Sequence, residues 1–313
     1  MALREARIAT FGALISVWTA SFAILATAHA DDACEVRRII ELPMTELKDG
    51  HVSVPMTIAG QPVRMLIDTG GVFSMLTPPT VETLDLRPQM IPLARIRQYG
   101  GLTIDHYVTA HDVSLGGMKG DKFDFLVMPN HGYSPDIGGL LAPDIMRNYD
   151  ADFDFANHAF KLFSPEHCEG KVVYWTHDPY GTVEFSPNEF GQMTVPVTLD
   201  GHEIRAMIDT GAYRSTVSLE TIEDDFSIDE KNPDLRFLPD SKPDRPRYHY
   251  PFKTLSLQSI TVNNPDLMLV PDAQSKLRAG EPRMLLGINV LRQLHLYIAY
   301  HEHTLYVTPA SAH

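Results

Sequence analysis

Asp-Thr-Gly occurs twice in this chain, as Asp68-Thr69-Gly70 and as Asp209-Thr210-Gly211, and its surroundings recur with it. Val54-Pro55, Thr57, Gly60, Arg64 and Ile67 return 141 residues later as Val195-Pro196, Thr198, Gly201, Arg205 and Ile208. Each triplet closes an apolar, strand-like run, Met65-Leu66-Ile67 in one copy and Ala206-Met207-Ile208 in the other. Such a repeat implies two copies of one structural unit, each presenting one carboxylate at the end of a strand. Two periods are too few for a solenoid, which needs at least three stacked units to bury its faces. A duplicated β-rich lobe satisfies the pattern.

The first copy spans residues 46–165. Alternation and β-branched content predict strands over 51–58 and 63–67, with Gly60-Gln61 as the turn, and over 107–115 and 123–128 around Gly116-Gly117. A short helix is expected near Pro79, because proline is tolerated in a first turn. The second copy spans 189–310, with strands over 193–199 and 203–208 joined by the tight-turn signal Asp200-Gly201. Residues 166–188, with Pro179, Gly181 and Pro187, read as the linker between the copies. Residues 223–247 carry Pro233, Pro239, Pro243 and Pro246 and read as an irregular surface excursion. The far ends also correspond. Leu140-Leu141-Ala142 precedes Asp144-Ile145-Met146-Arg147, and Leu285-Leu286-Gly287 precedes Asn289-Val290-Leu291-Arg292. Each continues into a hairpin-like pair, 151–155 with 159–163 and 296–300 with 304–308.

Residues 1–30 read as a signal peptide rather than as part of the fold. Arg4 and Arg7 give a basic start, residues 8–28 are uncharged, and Ala28-His29-Ala30 fits an A-x-A cleavage site. The apolar stretch is long enough that an uncleaved membrane anchor stays open. Asp31-Asp32-Ala33 before Cys34 argues against a lipoprotein. A short N-terminal segment, 31–45, then leads into the first copy. The formal net charge is −14, and loss of Arg4, Arg7 and Glu5 takes it to −15. So acidic a chain repels phosphate and is not expected to bind nucleic acid. The expected location is exported, periplasmic or secreted. The two cysteines, Cys34 and Cys168, permit one disulfide in such a compartment, tying the mature N-terminus to the end of the first copy.

Two carboxylates brought face to face cannot both ionise cheaply, so one proton is shared between them; aspartic proteases are the reference case for this effect. The pair titrates as a unit, and base and acid are not fixed on one residue. Such a pair can take a proton from water while polarising a carbonyl, and it needs no cofactor. Asp68 and Asp209 are therefore the candidate catalytic pair.

With both triplets in register, and an apolar-apolar-small element about seventy residues after each, the chain resembles the retropepsin-like and pepsin-like aspartic proteases. It is most similar to bacterial exported members with two lobes in one chain. The resemblance covers most of the mature sequence. It implies an all-β bilobal acid-protease fold with short helices, two β-barrel-like lobes and a cleft between them. It implies endopeptidase activity on an extended peptide or protein substrate, by a monomer, with membrane contact only if the N-terminal segment stays uncleaved. The alternative is a catalytically silent pepsin-like protein that binds extended peptides.

By the same resemblance Thr69 and Thr210 hold the two loops together, and Gly70 and Gly211 let the backbone turn beneath the carboxylates. Leu140-Leu141 and Leu285-Leu286 pack under the triplets, and Gly287 passes close to the second loop. Tyr99, Gly100 and Gly101 form a substrate-binding flap, with residues 248–250 as a candidate second one. Three positions depart from the pattern. Gly71 stands where a Ser or Thr hydroxyl usually bonds the carboxylate, which could shift its pKa. Ala212 gives the second triplet the retroviral form. Ala142 replaces the first lobe's glycine, where its methyl either fits or loosens the loop.

Other features carry less. His301-Glu302-His303 could bring two histidines to one face of a strand, but no third ligand cluster accompanies them, so no metal site is assigned. His106 and His111 read as surface strand residues, and Asp152 and Asp154 as solvent-facing charges on one strand face. No nucleophile elbow, phosphate loop or dinucleotide fingerprint is present.

Overall fold

The computed structural model describes residues 34–311 apart from 92–95, 98–102, 130–133, 230, 240, 242–244 and 273–280. Each half opens with a hairpin that leads into its triplet. Val52–Ile58 pairs with Gln61–Ile67, and Met193–Leu199 with His202–Ile208. Both two-residue turns are left-handed at both positions, Ala59 and Gly60 at φ 49° and 75°, Asp200 and Gly201 at 45° and 89°. That is the turn whose twist matches paired strands. The Asp200 carboxylate also accepts from the amides of Lys253 and Thr254, fixing the start of the strand Thr254–Leu257.

The strand before each triplet gains a parallel neighbour from far along the chain. Gly139–Leu141 pairs with Met65, Leu66 and Ile67, and Met284–Leu286 with Ala206, Met207 and Ile208. The same inserted strand pairs antiparallel with the strand that leaves the triplet, Met75–Leu76 in the first half and Ser215–Ser218 in the second. Both ends of each triplet loop are thereby pinned to one fully enclosed strand. In the first half, Val52–Ile58 also pairs with His106–Leu115 through Thr57↔Ser114 and Ile58↔Val113, which curls the sheet into a barrel.

A third sheet joins the halves. Its strands run in the order Arg38–Pro43, Ala159–Phe163, Asp150–Asp154, Leu294–Ala299, Thr304–Pro309 and Gly181–Glu184. The seam between the halves lies at Ala151↔Ile298 through Asp154↔His295. On the core side Phe153 and Phe160 are fully buried and meet edge to face at 5.1 Å. Burial of each such ring contributes about 2–3 kcal/mol. The residues read as a linker thus supply an edge strand, Gly181–Glu184, paired with Thr304–Pro309. Cys34 and Cys168 form a disulfide that fastens the chain's first described residue beside this sheet.

The expectation that Asp152 and Asp154 face solvent is overturned. Asp150, Asp152 and Asp154 are all buried, because residues after the second strand of their hairpin fold back over that face. His167 Nε2 lies 2.5 Å from Asp150 Oδ2, and His295 Nε2 lies 2.8 Å from Asp152 Oδ1. Tyr174 donates its hydroxyl to Asp152, and Lys161 Nζ lies 3.5 Å from Asp154 Oδ2. The Trp175 ring stacks on His295 at 4.4 Å. Burial pushes the Asp150 carboxyl up, against the His167 hydrogen bond that favours its charge. The central strands of the sheet are covered on both faces, and Asp150, Asp152 and Asp154 have histidine or lysine partners inside the fold.

Residues 223–247 also contain regular structure. The helix Leu219–Phe226 enters the segment, capped by the Ser218 hydroxyl, and Arg236–Phe237 pairs with Tyr248–His249. The first-half helix, Pro78–Thr83, begins on proline with Thr77 as its cap. Among the described residues, no helix is long and apolar enough to cross a membrane.

Candidate active site

The two triplet loops meet at the interface of the halves. Thr69 and Thr210 make four crossed hydrogen bonds. The Thr69 hydroxyl donates to Ile208 O at 2.9 Å and accepts from the Thr210 amide at 3.0 Å. The Thr210 hydroxyl donates to Ile67 O at 2.8 Å and accepts from the Thr69 amide at 3.1 Å. Both threonines are wholly buried. Beneath them, the Asp68 amide donates to Leu141 O and the Asp209 amide to Leu286 O, each at 2.9 Å. The enclosed strands therefore set the height of both aspartates.

The two carboxyl groups are neighbours at this crossing, Asp68 packed against Gly211 and Asp209 against Gly70, and each shifts the other's titration. Burial, then the neighbouring Asp209 charge, pushes Asp68 well above the usual carboxylate range, against hydrogen bonds from the Gly71 and Gly70 amides. Burial pushes Asp209 up as well, opposed by its hydrogen bonds to Asp68 and to the amides of Gly211, Ala212 and Gly70. The pair keeps a shared proton at pH values where isolated aspartates have lost theirs.

Gly70 and Gly211 are required by space. A Cβ on Gly70 would lie 2.3 Å from the Asp209 Cγ, and one on Gly211 would lie 2.3 Å from Asp68 Oδ1. Each triplet's glycine thus covers the opposite triplet's carboxyl. Tyr99, Gly100 and Gly101 lie outside the described residues, although the strands on either side of them, Ile96–Arg97 and Thr103–Ile104, pair antiparallel.

A second layer escaped the sequence reading. The Ser74 hydroxyl donates to Asp144 Oδ1 at 2.7 Å and accepts from the Ala142 amide at 3.0 Å. In the second half the Ser215 hydroxyl donates to Asn289 Oδ1 at 2.9 Å and accepts from the Gly287 amide, also at 2.9 Å. These pairs buckle each enclosed strand to the chain leaving its triplet. The signal was available, since Ser74 and Ser215 stand at the repeat offset of 141.

The departures at Gly71 and Ala142 belong together. A Cβ on Gly71 would come 3.2 Å from the Ala142 Cβ and 2.9 Å from Asp68 Oδ2. In the second half the methyl is on the other partner: Ala212 follows the triplet and Gly287 faces it. A Cβ on Gly287 would lie 2.7 Å from Ala212 O and from Arg214 C. Ala142 and Gly287 share one extended conformation, φ −110° and −92°. Glycine at 287 therefore answers to space and not to backbone angle. Each half has one alanine and one glycine at these two positions, with the alanine on opposite partners.

A family model described as "Aspartyl protease" matches residues 54–144 and again 195–290, together more than half of the chain. The chain belongs to the aspartyl protease family. The two matches begin at corresponding positions of the repeat and span both triplets and both enclosed strands. Basic 7S globulin from soybean has a similar fold, with TM-score 0.54 and 9% identity over 88% of this chain and 97% of that one. Conglutin gamma, a basic 7S globulin from lupine seeds, gives TM-score 0.51 and 10% identity over 89% and 96%. At these identities the likeness concerns fold alone. No curated protein matches by sequence.

Elsewhere in this aspartyl protease family member, His301 and His303 are exposed in the turn between Leu294–Ala299 and Thr304–Pro309. The Glu302 carboxylate between them accepts from Tyr306 Oη and the Gly170 amide, so it is engaged within the fold.

Proposed function

We propose that this protein is an aspartic endopeptidase in which Asp68 and Asp209 activate a water molecule. The observation that carries the proposal is the pair of buried carboxyls brought together at the crossing of the two triplet loops, each against the glycine of the opposite triplet. In the singly protonated pair the ionised carboxylate removes a proton from water. The resulting oxygen adds to the scissile carbonyl, and the protonated carboxyl delivers its proton to the carbonyl oxygen. The tetrahedral diol then collapses. One of its hydroxyl protons passes to a carboxylate, the leaving nitrogen takes the other carboxyl's proton, and the C–N bond breaks. The triplet loops are fixed before substrate arrives by the threonine crossing, which fits catalysis by preorganised positioning.

Both carboxyls come from one chain, which fits a monomer. An extended peptide would lie between the halves and add backbone hydrogen bonds to strand edges. The Cys34–Cys168 disulfide supports an exported protein, periplasmic or secreted. The test is cleavage of an unfolded protein substrate at acidic pH, with Asp68→Asn and Asp209→Asn as variants and a statine peptide as inhibitor. Cleavage that is abolished in each variant and blocked by the inhibitor is expected. Full activity in either variant overturns the proposal. Peptide binding without turnover in the wild-type protein would favour the silent, peptide-binding alternative.

A further inference from the structure

The offset of 141 that relates Asp68 to Asp209 and Gly70 to Gly211 also relates His51 to Gln192. These two residues differ in type, yet they make the same contact. His51 Nε2 lies 3.1 Å from Gly211 O. The Gln192 side-chain amide donates to Gly70 O. A carbonyl only accepts, so this contact is a hydrogen bond when His51 carries a proton on Nε2. Each residue immediately precedes the first strand of its own half, and each reaches the triplet of the other half.

The supports are matched as well. The Asp49 carboxylate accepts from the His51 amide at 3.2 Å and lies 3.0 Å from His51 Nδ1. The Asn188 side chain accepts from the Gln192 amide at 3.1 Å and donates to the Gln192 side-chain oxygen at 2.7 Å. Gly50 and Gly191, one residue earlier, both take left-handed φ angles of 89° and 88°. Arg292 donates to Gly50 O and Arg147 to Glu189 O, each at 3.0 Å and each from the opposite half. Two equivalent entry loops are thus clasped to the opposite halves.

The consequence falls on the carboxyl pair. Gly211 lies against Asp68, and Gly70 against Asp209. His51 pulls on Gly211 and so holds it against the aspartate of His51's own half; Gln192 does the same through Gly70 for Asp209. We propose that His51 and Gln192 are positioning residues that fasten each triplet glycine over the carboxyl of the opposite triplet. As to catalysis, the proposal rests on the Asp68–Asp209 reading; as to geometry, it does not.

The test is hydrogen–deuterium exchange on the full-length protein, comparing wild type with His51→Ala, His51→Gln and Gln192→Ala. One net hydrogen bond corresponds to about a two- to tenfold change in local opening. Faster exchange of about that size is expected at 209–212 in H51A and at 68–71 in Q192A, with H51Q returning 209–212 to near the wild-type rate. Acceleration confined to the mutated residue's own half, or none in either alanine variant, overturns the proposal. Should an alanine variant fail to fold, the wild-type protein still decides the His51 half. Nitrogen-15 spectra of its histidines at pH 8 are expected to show the His51 proton on Nε2, and an unprotonated Nε2 overturns the assignment. In cleavage assays the alanine variants are expected to lose kcat with KM little changed, and H51Q to recover it. Absence of cleavage in wild type would count against the peptidase reading and leave the crossed exchange pattern as the deciding observation.

Discussion

The exchange of a methyl between Gly71–Ala142 and Ala212–Gly287 leads to a double-mutant cycle. Ala142 is fully buried, so Ala142→Gly removes a packed methyl, about 0.8 kcal/mol. It also adds glycine's freedom in the unfolded chain, about 0.5–1 kcal/mol. Gly71→Ala places a methyl 3.2 Å from that of Ala142 and 2.9 Å from Asp68 Oδ2, an overpacking of about 1–3 kcal/mol. Added independently, the two changes would cost about 2–5 kcal/mol. The double variant instead rebuilds the second half's arrangement in the first. That arrangement is compatible with the same loop: the Gly71 amide reaches Asp68 O, and the Ala212 amide reaches Asp209 O, each at 3.3 Å. The double variant should therefore cost about 1 kcal/mol, a coupling of about 1–4 kcal/mol between the sites. Urea unfolding at one fixed pH measures it, provided the slope m is unchanged across the four proteins. Additivity within about 0.5 kcal/mol would refute the claim that Ala142 is accommodated because residue 71 has no side chain.

The raised carboxyl pair predicts a sign for stability against pH. A folded-state pKa above the unfolded value of about 3.9 gives stability that is complete below that value and is lost as pH rises through the folded pKa. Asp68→Asn cannot ionise, so its Tm minus that of the wild type should grow between pH 4.5 and 7.5; a difference that stays flat or shrinks would contradict the assignment. In the joining sheet, His295→Leu leaves the Asp152 carboxylate buried without its imidazole partner and should cost about 3–5 kcal/mol in urea unfolding at neutral pH. A loss below about 1 kcal/mol would show that Tyr174 and Lys161 suffice for that charge.

What the sequence disclosed follows from which contacts are local in character. Asp68, Thr69, Gly70 and their counterparts were legible because each sits at a strand end whose apolar run is continuous in sequence, and because the repeat marks both copies. Leu140-Leu141 and Leu285-Leu286 were legible as short apolar runs before a small residue, although nothing local says that they run parallel to the triplet strands. Asp152 and Asp154 were misread for a definite reason. Alternation assigns residues to the two faces of a strand, but it does not say whether each face meets water. The cover over that face comes from His167, Tyr174 and Trp175, in a segment whose prolines and glycine read as linker.

His51 and Gln192 were passed over for a different reason. A repeat judged by residue identity finds nothing at that position, whereas one judged by what a side chain can donate finds the same hydrogen bond twice. The same holds for Asp144 and Asn289, where a carboxylate and an amide accept from equivalent serines, and for the methyl on opposite partners of one contact. Across all three cases duplication has preserved the role of a position while the residue filling it changed. The roles preserved are those that hold one triplet loop against the other. Across the triplets themselves the two halves keep every residue identical, where space, burial and the crossed threonine bonds constrain each position.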